Sequence, residues 1–192
     1  MNVAIVDLSY GNIGSIQFAL ERLGVSAAVT AEPEQLALAD RIILPGVGAA
    51  AQAMDRIDRL GLRETLKSLR QPALGICLGM QLLFESSDEG EATCLGLIEG
   101  RVSEMEPAPG RPVPHMGWSR VEVLAGDLGV RSGDYLYFAH SFACDPGPAT
   151  VATTSYGRDI PVIVRKANWL GAQFHPERSG EAGTRFLREF LS

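Results

Sequence analysis

Cys77 sits between Gly75 and Gly79, where an apolar strand-like run, Ala73-Leu-Gly-Ile, passes into a helix-like one, Leu-Gly-Met-Gln-Leu-Leu-Phe84. This is the sequence form of a nucleophile elbow. The backbone doubles back so sharply that a Cβ two residues to either side would collide, and the central side chain is left at the tip. Cysteine suits that seat. Backbone N–H groups at the start of the following helix favour a thiolate, whereas a free thiol of pKa about 8.5 is only a few per cent ionised at neutral pH.

A cysteine nucleophile needs a base, and the histidines are His115, His140 and His175. Position selects His175. It follows the strand-like run Trp169-Leu-Gly-Ala-Gln-Phe174, where a strand leaves the sheet, and Glu177 stands two residues on, close enough to orient the imidazole and favour its cation. His140 adjoins an apolar run and His115 lies beside Met116 and Trp118, settings that suit hydrogen-bonded structural histidines. Acyl chemistry also needs donors for an oxyanion. The N–H of Leu78 follows the nucleophile directly, and the loop Pro45-Gly-Val-Gly48 ends a neighbouring strand with glycines that let a backbone N–H point into the site.

These residues must be held by a sheet. Residues 3–7, 26–29, 41–44 and 73–76 read as apolar strands, and residues 13–23, 49–60 and 62–69 have helical spacing. Strands separated by helical crossovers predict a parallel sheet covered on both faces. From Leu95 onwards the pattern changes to strands and turns, at 101–105, 119–124, 135–140, 150–155, 162–166 and 169–174, which predicts an antiparallel extension; a helix over 182–191 closes the chain. Residues 107–114 form a loop within one domain spanning 1–192.

Composition bounds the partners. The 192 residues carry a net charge of −6 with 46% hydrophobic side chains, and no basic cluster interleaves with aromatics, so nucleic acid and anionic membrane surfaces are excluded in favour of a small molecule or a protein. No apolar run approaches the ~18 residues of a membrane span and no charged leader precedes the first strand, which predicts a cytoplasmic protein. Cys77, Cys94 and Cys144 are odd in number and far apart, as reduced thiols are, and neither they nor the histidines have metal-ligand spacing. Neither a metal nor another cofactor is expected.

Three motifs, Leu44-Pro-Gly-Val-Gly48, Gly75-Ile-Cys-Leu-Gly-Met-Gln81 and His175-Pro-Glu177, resemble in order and separation the class I (triad-type) glutamine amidotransferases. Pro114-His-Met-Gly-Trp118 and Tyr137-Phe-Ala-His-Ser141 narrow the resemblance to the glutaminase subunits of imidazole glycerol phosphate synthases. The resemblance runs along nearly the whole chain and implies a three-layer, flavodoxin-like α/β fold. It implies Cys77 as nucleophile, His175 as general base and acid, and Glu177 as its orienting partner. Val47 and Gly48, with Leu78, would form the oxyanion site; Gln81, Ser141 and Phe142 would contact the substrate glutamine; Tyr10, Gly11 and Asn12 would lie near the interface with a (β/α)₈ cyclase subunit in a heterodimer.

Ser119 and Phe142 depart from the Asn and Tyr common at those positions in the family, which leaves the cyclase or a paralogous synthase as the partner. Met80 argues against synthases of anthranilate or carbamoyl phosphate, where His is usual. On the residues alone, a cysteine hydrolase of another specificity and a non-catalytic binding module also stay open.

Overall fold

The structure, a computed structural model, describes residues 1–9 and 12–192. Its elements in chain order are β1 (Val3–Val6), α1 (Ile13–Glu21), β2 (Ala27–Thr30), α2 (Pro33–Leu38), β3 (Arg41–Leu44), α3 (Ala50–Arg59), α4 (Leu62–Ser68), β4 (Ala73–Ile76) and α5 (Leu78–Gln81). There follow β5 (Ser86–Ser87), β6 (Ala92–Thr93), β7 (Arg101–Glu104), β8 (His115–Val123), β9 (Tyr135–His140), β10 (Phe142–Cys144), β11 (Thr150–Ser155), β12 (Asp159–Lys166) and β13 (Trp169–Ala172). A 3-10 turn at Pro176–Arg178 then leads into α6 (Gly180–Leu191).

The main sheet has nine strands in the order β2-β1-β3-β4-β13-β12-β11-β8-β9. The first five run parallel and each later neighbour is antiparallel, so the predicted parallel sheet and its antiparallel extension are one continuous surface. Alternation along β1 assigns the faces. Val3 and Ile5 pack with Ile16 and Leu20 of α1 and with Phe186 and Phe190 of α6, whereas Ala4 and Val6 pack with Leu36 of α2, Met54 and Ile57 of α3 and Leu66 of α4. Burial on both faces is why the inner strands read as unbroken apolar runs rather than as alternating ones. No helix among the described residues is long and apolar enough to cross a membrane.

Two features of this frame place the site. The order β2-β1-β3-β4-β13 puts the carboxyl ends of β3, β4 and β13 side by side, where open α/β sheets bind ligands. The antiparallel half also curls back: the His175 N–H donates to the Tyr137 carbonyl at 2.9 Å, so edge strand β9 returns to the end of β13.

Local differences from the sequence reading have physical causes. Helix α2 starts at Pro33 and buries only Leu36, too short a segment for an apolar period to register. Strand β8 begins at His115, ahead of the expected 119, because its early residues pair in register with β9. Strand β12 runs through Pro161, which faces Thr153 of β11 beside a register shift, a place where a missing N–H is tolerated. The short strands β5, β6 and β10 join β7 in a separate four-stranded sheet.

Candidate active site

Three glycines bring the end of β3 against the turn after β4. A Cβ on Gly75 would lie 2.5 Å from the Gly79 carbonyl oxygen, one on Gly79 only 2.0 Å from the Leu44 oxygen, and one on Gly46 only 2.4 Å from the Gly79 nitrogen. The turn is therefore a tight mesh of backbone on backbone. Cys77 occupies its tip with φ 53°, a left-handed conformation that costs a non-glycine residue about 1–3 kcal/mol. Surrounding bonds hold it there: its N–H donates to the Ala172 carbonyl at 2.7 Å, and its own carbonyl accepts from Met80 and Gln81.

The helix after the elbow is a single turn, shorter than the apolar run 78–84 suggests. Its dipole is correspondingly small, and the charge partner of Cys77 is instead an imidazole. His175 lines the same cavity as Cys77, and its Nδ1–H donates to Glu177 Oε1 at 2.9 Å, leaving Nε2 as the ring nitrogen available to the sulfur. The Glu177 side chain is 1% exposed and its Oε2 is buried without a protein partner, so the imidazole is its compensating charge. Burial disfavours the His175 cation, but its neighbours Cys77 and Glu177 outweigh that cost and lift its pKa to about 10.

A cavity of about 460 Å³ opens over this line, within the usual range for small-molecule sites. Its wall includes Cys77, Leu78, Val47, Gly48, Gln81, Ser141, Phe142, His175 and Asn12, so the expected nucleophile, base, oxyanion loop and substrate contacts all face one space. Gly48 has φ +90°, with nothing within 4 Å of where a Cβ would stand. Tyr10 and Gly11, expected near the interface, lie outside the described residues.

Sequence reasoning missed three residues. Glu89 lines the cavity and accepts from the Ala50 N–H at 2.9 Å, at the start of α3; burial pushes its carboxyl pKa up and that bond restrains the rise. Arg178 lines it too, its guanidinium 4.2 Å from the centre of the Tyr137 ring. Gln173, fully buried, joins two site residues: its Oε1 accepts from Gln81 Nε2 at 3.0 Å and its Nε2 donates to Cys77 Sγ at 3.8 Å.

His115 and His140 form the wall behind Phe142. His140 Nδ1 lies 2.8 Å from the Phe142 carbonyl, which only accepts, so that nitrogen carries the proton and Nε2 is the acceptor. His115 Nδ1 then donates to His140 Nε2 at 3.2 Å, and Ser119 Oγ donates to His115 Nε2 at 2.8 Å. The His115 ring stacks between Phe138 and Tyr156. Burial lowers both pKa values to about 4, which keeps the pair neutral.

The three histidines therefore act oppositely on stability. Between about pH 6.5 and 4 the unfolded chain binds protons that His115 and His140 refuse, so their contribution is present above 6.5 and lost on acidification. His175 binds its proton more tightly folded than unfolded, so its contribution is complete below 6.5 and fades as pH rises towards 10. An NMR titration of the three Cε1 protons is expected to show two rings still neutral below pH 5 and one still protonated above pH 8. Three midpoints clustered near 6.5 would contradict this geometry.

Comparison with known proteins gives consistent matches. Residues 4–192 match the family described as Glutamine amidotransferase class-I. The chain is 48% identical over 192 residues to an imidazole glycerol phosphate synthase subunit HisH of Idiomarina loihiensis, covering 100% of this chain and 97% of that protein. It is 44% identical over 193 residues to the subunit HisH of Pasteurella multocida, covering 99% and 97%. A solved glutamine amidotransferase structure superposes with a TM-score of 0.77 at 25% identity, covering 98% and 96%. A glutamine amidotransferase from Thermotoga maritima shares the fold, with a TM-score of 0.66 at 17% identity, covering 100% and 82%.

Proposed function

From the premise that this chain belongs to the class-I glutamine amidotransferases, and to the HisH subunits among them, we propose that its cavity hydrolyses glutamine by a Cys77-His175-Glu177 triad. The protein is the glutamine amidotransferase subunit of imidazole glycerol phosphate synthase, and it serves histidine biosynthesis. The observation that carries the catalytic reading is the buried, hydrogen-bonded His175–Glu177 pair, whose imidazole shares one cavity with Cys77 at the tip of the elbow.

In this reading His175 takes the Cys77 proton and the thiolate attacks the side-chain carboxamide carbon of glutamine. Negative charge developing on the carboxamide oxygen rests on backbone N–H groups of Leu78 and the Val47-Gly48 loop. The imidazolium returns its proton to the leaving nitrogen and ammonia departs, leaving a glutamyl thioester. Water deprotonated by His175 attacks the thioester, the sulfur leaves, and glutamate is released. Nothing in this sequence calls on a cofactor. Among the lining residues Glu89 is the only carboxylate, complementary to the ammonium group of a free amino acid, and Ser141 and Phe142 border the same space.

Ammonia released into water is protonated and ceases to be a nucleophile, so the whole 192-residue chain works as one glutaminase unit docked on the synthase that uses it. The partner is a (β/α)₈ cyclase subunit in a heterodimer. Asn12, Met116 and Arg178 at the cavity rim, and the exposed Trp118 beside them on β8, are where the cyclase would dock. The three free cysteines are all buried and support placing the pair in the reducing cytoplasm.

Glutamine hydrolysis by the chain alone is expected to be slow and to rise sharply when the cyclase and its substrate nucleotide are added. A rate equal with and without them overturns the coupling. No hydrolysis in either condition overturns the glutaminase reading.

A further inference from the structure

We propose that Gln173 is a further residue of the glutaminase site, donating a hydrogen bond to the Cys77 sulfur while clamping Gln81 so that only the Gln81 carbonyl oxygen faces the substrate. The inference rests on the glutaminase reading of the cavity.

Polarity along the amide chain is fixed from one end. The Phe142 carbonyl only accepts, and it already takes the Nδ1–H of His140; Gln81 must therefore turn its Nε2 towards it, at 2.8 Å. The second hydrogen of that Nε2 goes to Gln173 Oε1 at 3.0 Å. Gln173 is then forced to aim its own Nε2 at Cys77 Sγ, 3.8 Å away. Reversing Gln81 would set two acceptors against each other, and reversing Gln173 alone would set two donors against each other. The chain from the Phe142 carbonyl through Gln81 and Gln173 thus ends in a donor on the reacting sulfur.

Two consequences follow. With both hydrogens of Gln81 committed, the group it offers to the cavity is its Oε1, an acceptor suited to an ammonium or carboxamide N–H of a free amino acid. The Gln173 N–H gives the thiolate a partner besides His175. Burying an amide completely is costly unless it is hydrogen-bonded, and a side chain serving only packing at the end of β13 would be apolar. The titratable and charged groups around the sulfur are His175, with Glu177 behind it, and His140, Glu89 and Arg178 across the cavity. Gln173 therefore supplies a neutral donor beside these charged groups.

The experiment uses the full chain and its complex with the cyclase. Gln173→Met keeps length and loses both hydrogen bonds; Gln81→Met loses the clamp and the Gln81 contacts with the Phe142 carbonyl and the cavity, but leaves the Gln173 amide in place. For Gln173→Met we expect the pH profile of Cys77 alkylation by iodoacetamide to move to higher pH and kcat to fall roughly 10- to 100-fold, the size of one hydrogen bond to a charged group. KM for glutamine should rise in both variants, while Gln81→Met, which keeps the Gln173 amide beside the sulfur, moves the alkylation profile less than Gln173→Met does. Wild-type alkylation and kinetics in a folded Gln173→Met overturn the proposal. Should that variant fail to fold, the wild-type chain still decides: the Gln173 side-chain NH₂ resonances must shift in ¹⁵N spectra when Cys77 is alkylated, and unmoved resonances overturn it. Alkylation and NMR need no glutamine, so failure of the glutaminase reading would appear separately, as absent turnover in the wild type.

Discussion

Replacing Cys77 by alanine is expected to abolish glutamine-dependent synthesis by the complex, with kcat falling by about four orders of magnitude or more, while synthesis from ammonium salts continues at close to the wild-type rate. The first half follows from the chemistry. On the proposed mechanism no thioester forms without the sulfur, and His175 and the oxyanion donors would retain only the weak advantage of binding and polarising the carboxamide; nucleophile deletions in comparable triads cost factors of this size. The second half follows from where the side chain sits. Cys77 is at the tip of the elbow facing the cavity, and the turn is set by Gly75, Gly79 and Gly46 through backbone contacts that a methyl at position 77 does not touch. Loss of both activities would mean that the substitution disturbed the fold or the docking. Persistence of the glutamine-dependent rate would mean that the nucleophile is another residue.

The largest structural effect is expected at Gly79. A Cβ there would stand 2.0 Å from the Leu44 oxygen and 3.0 Å from the Leu44 carbonyl carbon, both backbone atoms of β3, which is hydrogen-bonded on either side by β1 and β4. No rotamer change relieves a contact with backbone; the elbow must separate from the sheet. Gly79→Ala is therefore expected to lower stability by about 3 kcal/mol or more, the upper end of overpacking penalties, and to move the urea midpoint accordingly. Gly14 provides the control. It lies in α1 with nothing within 4 Å of its would-be Cβ, so Gly14→Ala should be neutral or stabilising by up to about 1 kcal/mol. Equal midpoints for the two variants would contradict the close approach of β3 and the elbow.

Both variants probe features that could be read from the chain before its fold was known. Strands β1, β3 and β4 are apolar on both faces and stopped by turn residues, so their extent follows from sequence alone, and β3 ends where expected at Leu44. The elbow is legible because it requires glycine on both sides of one side chain. His175 and Glu177 are legible because a strand end and a two-residue spacing are local properties. What escaped notice is set by tertiary neighbours. Gln173 reads as one polar residue at the end of a strand; its partners are supplied by Gln81 and Cys77 on the neighbouring segment, which the in-register pairing of Ala172 with Ile76 brings alongside. Glu89 lies in an irregular stretch, and its link to the site runs through the N–H of Ala50, 39 residues earlier.

The expectation that a helix N-terminus would ionise the thiol also has a tertiary answer. Only one helical turn follows Cys77, and the charge that faces the sulfur comes from His175, held in place by β13 and by the β9 carbonyl of Tyr137. The extension that reads as a plain antiparallel edge is what carries this out, because its curl returns β9 to the catalytic face and lines the cavity with Ala139, His140, Ser141 and Phe142.

The central claim is that one sulfur of three, ionised by His175, attacks glutamine. Labelling with 6-diazo-5-oxo-norleucine followed by peptide mass spectrometry tests it most directly. The predicted result is a single adduct on Cys77, suppressed by excess glutamine and lost in a Glu177→Ala, His175→Ala double variant, with Cys94 and Cys144 unmodified. An adduct on either of those two cysteines, or none on Cys77 in the complex with its cyclase, would contradict it.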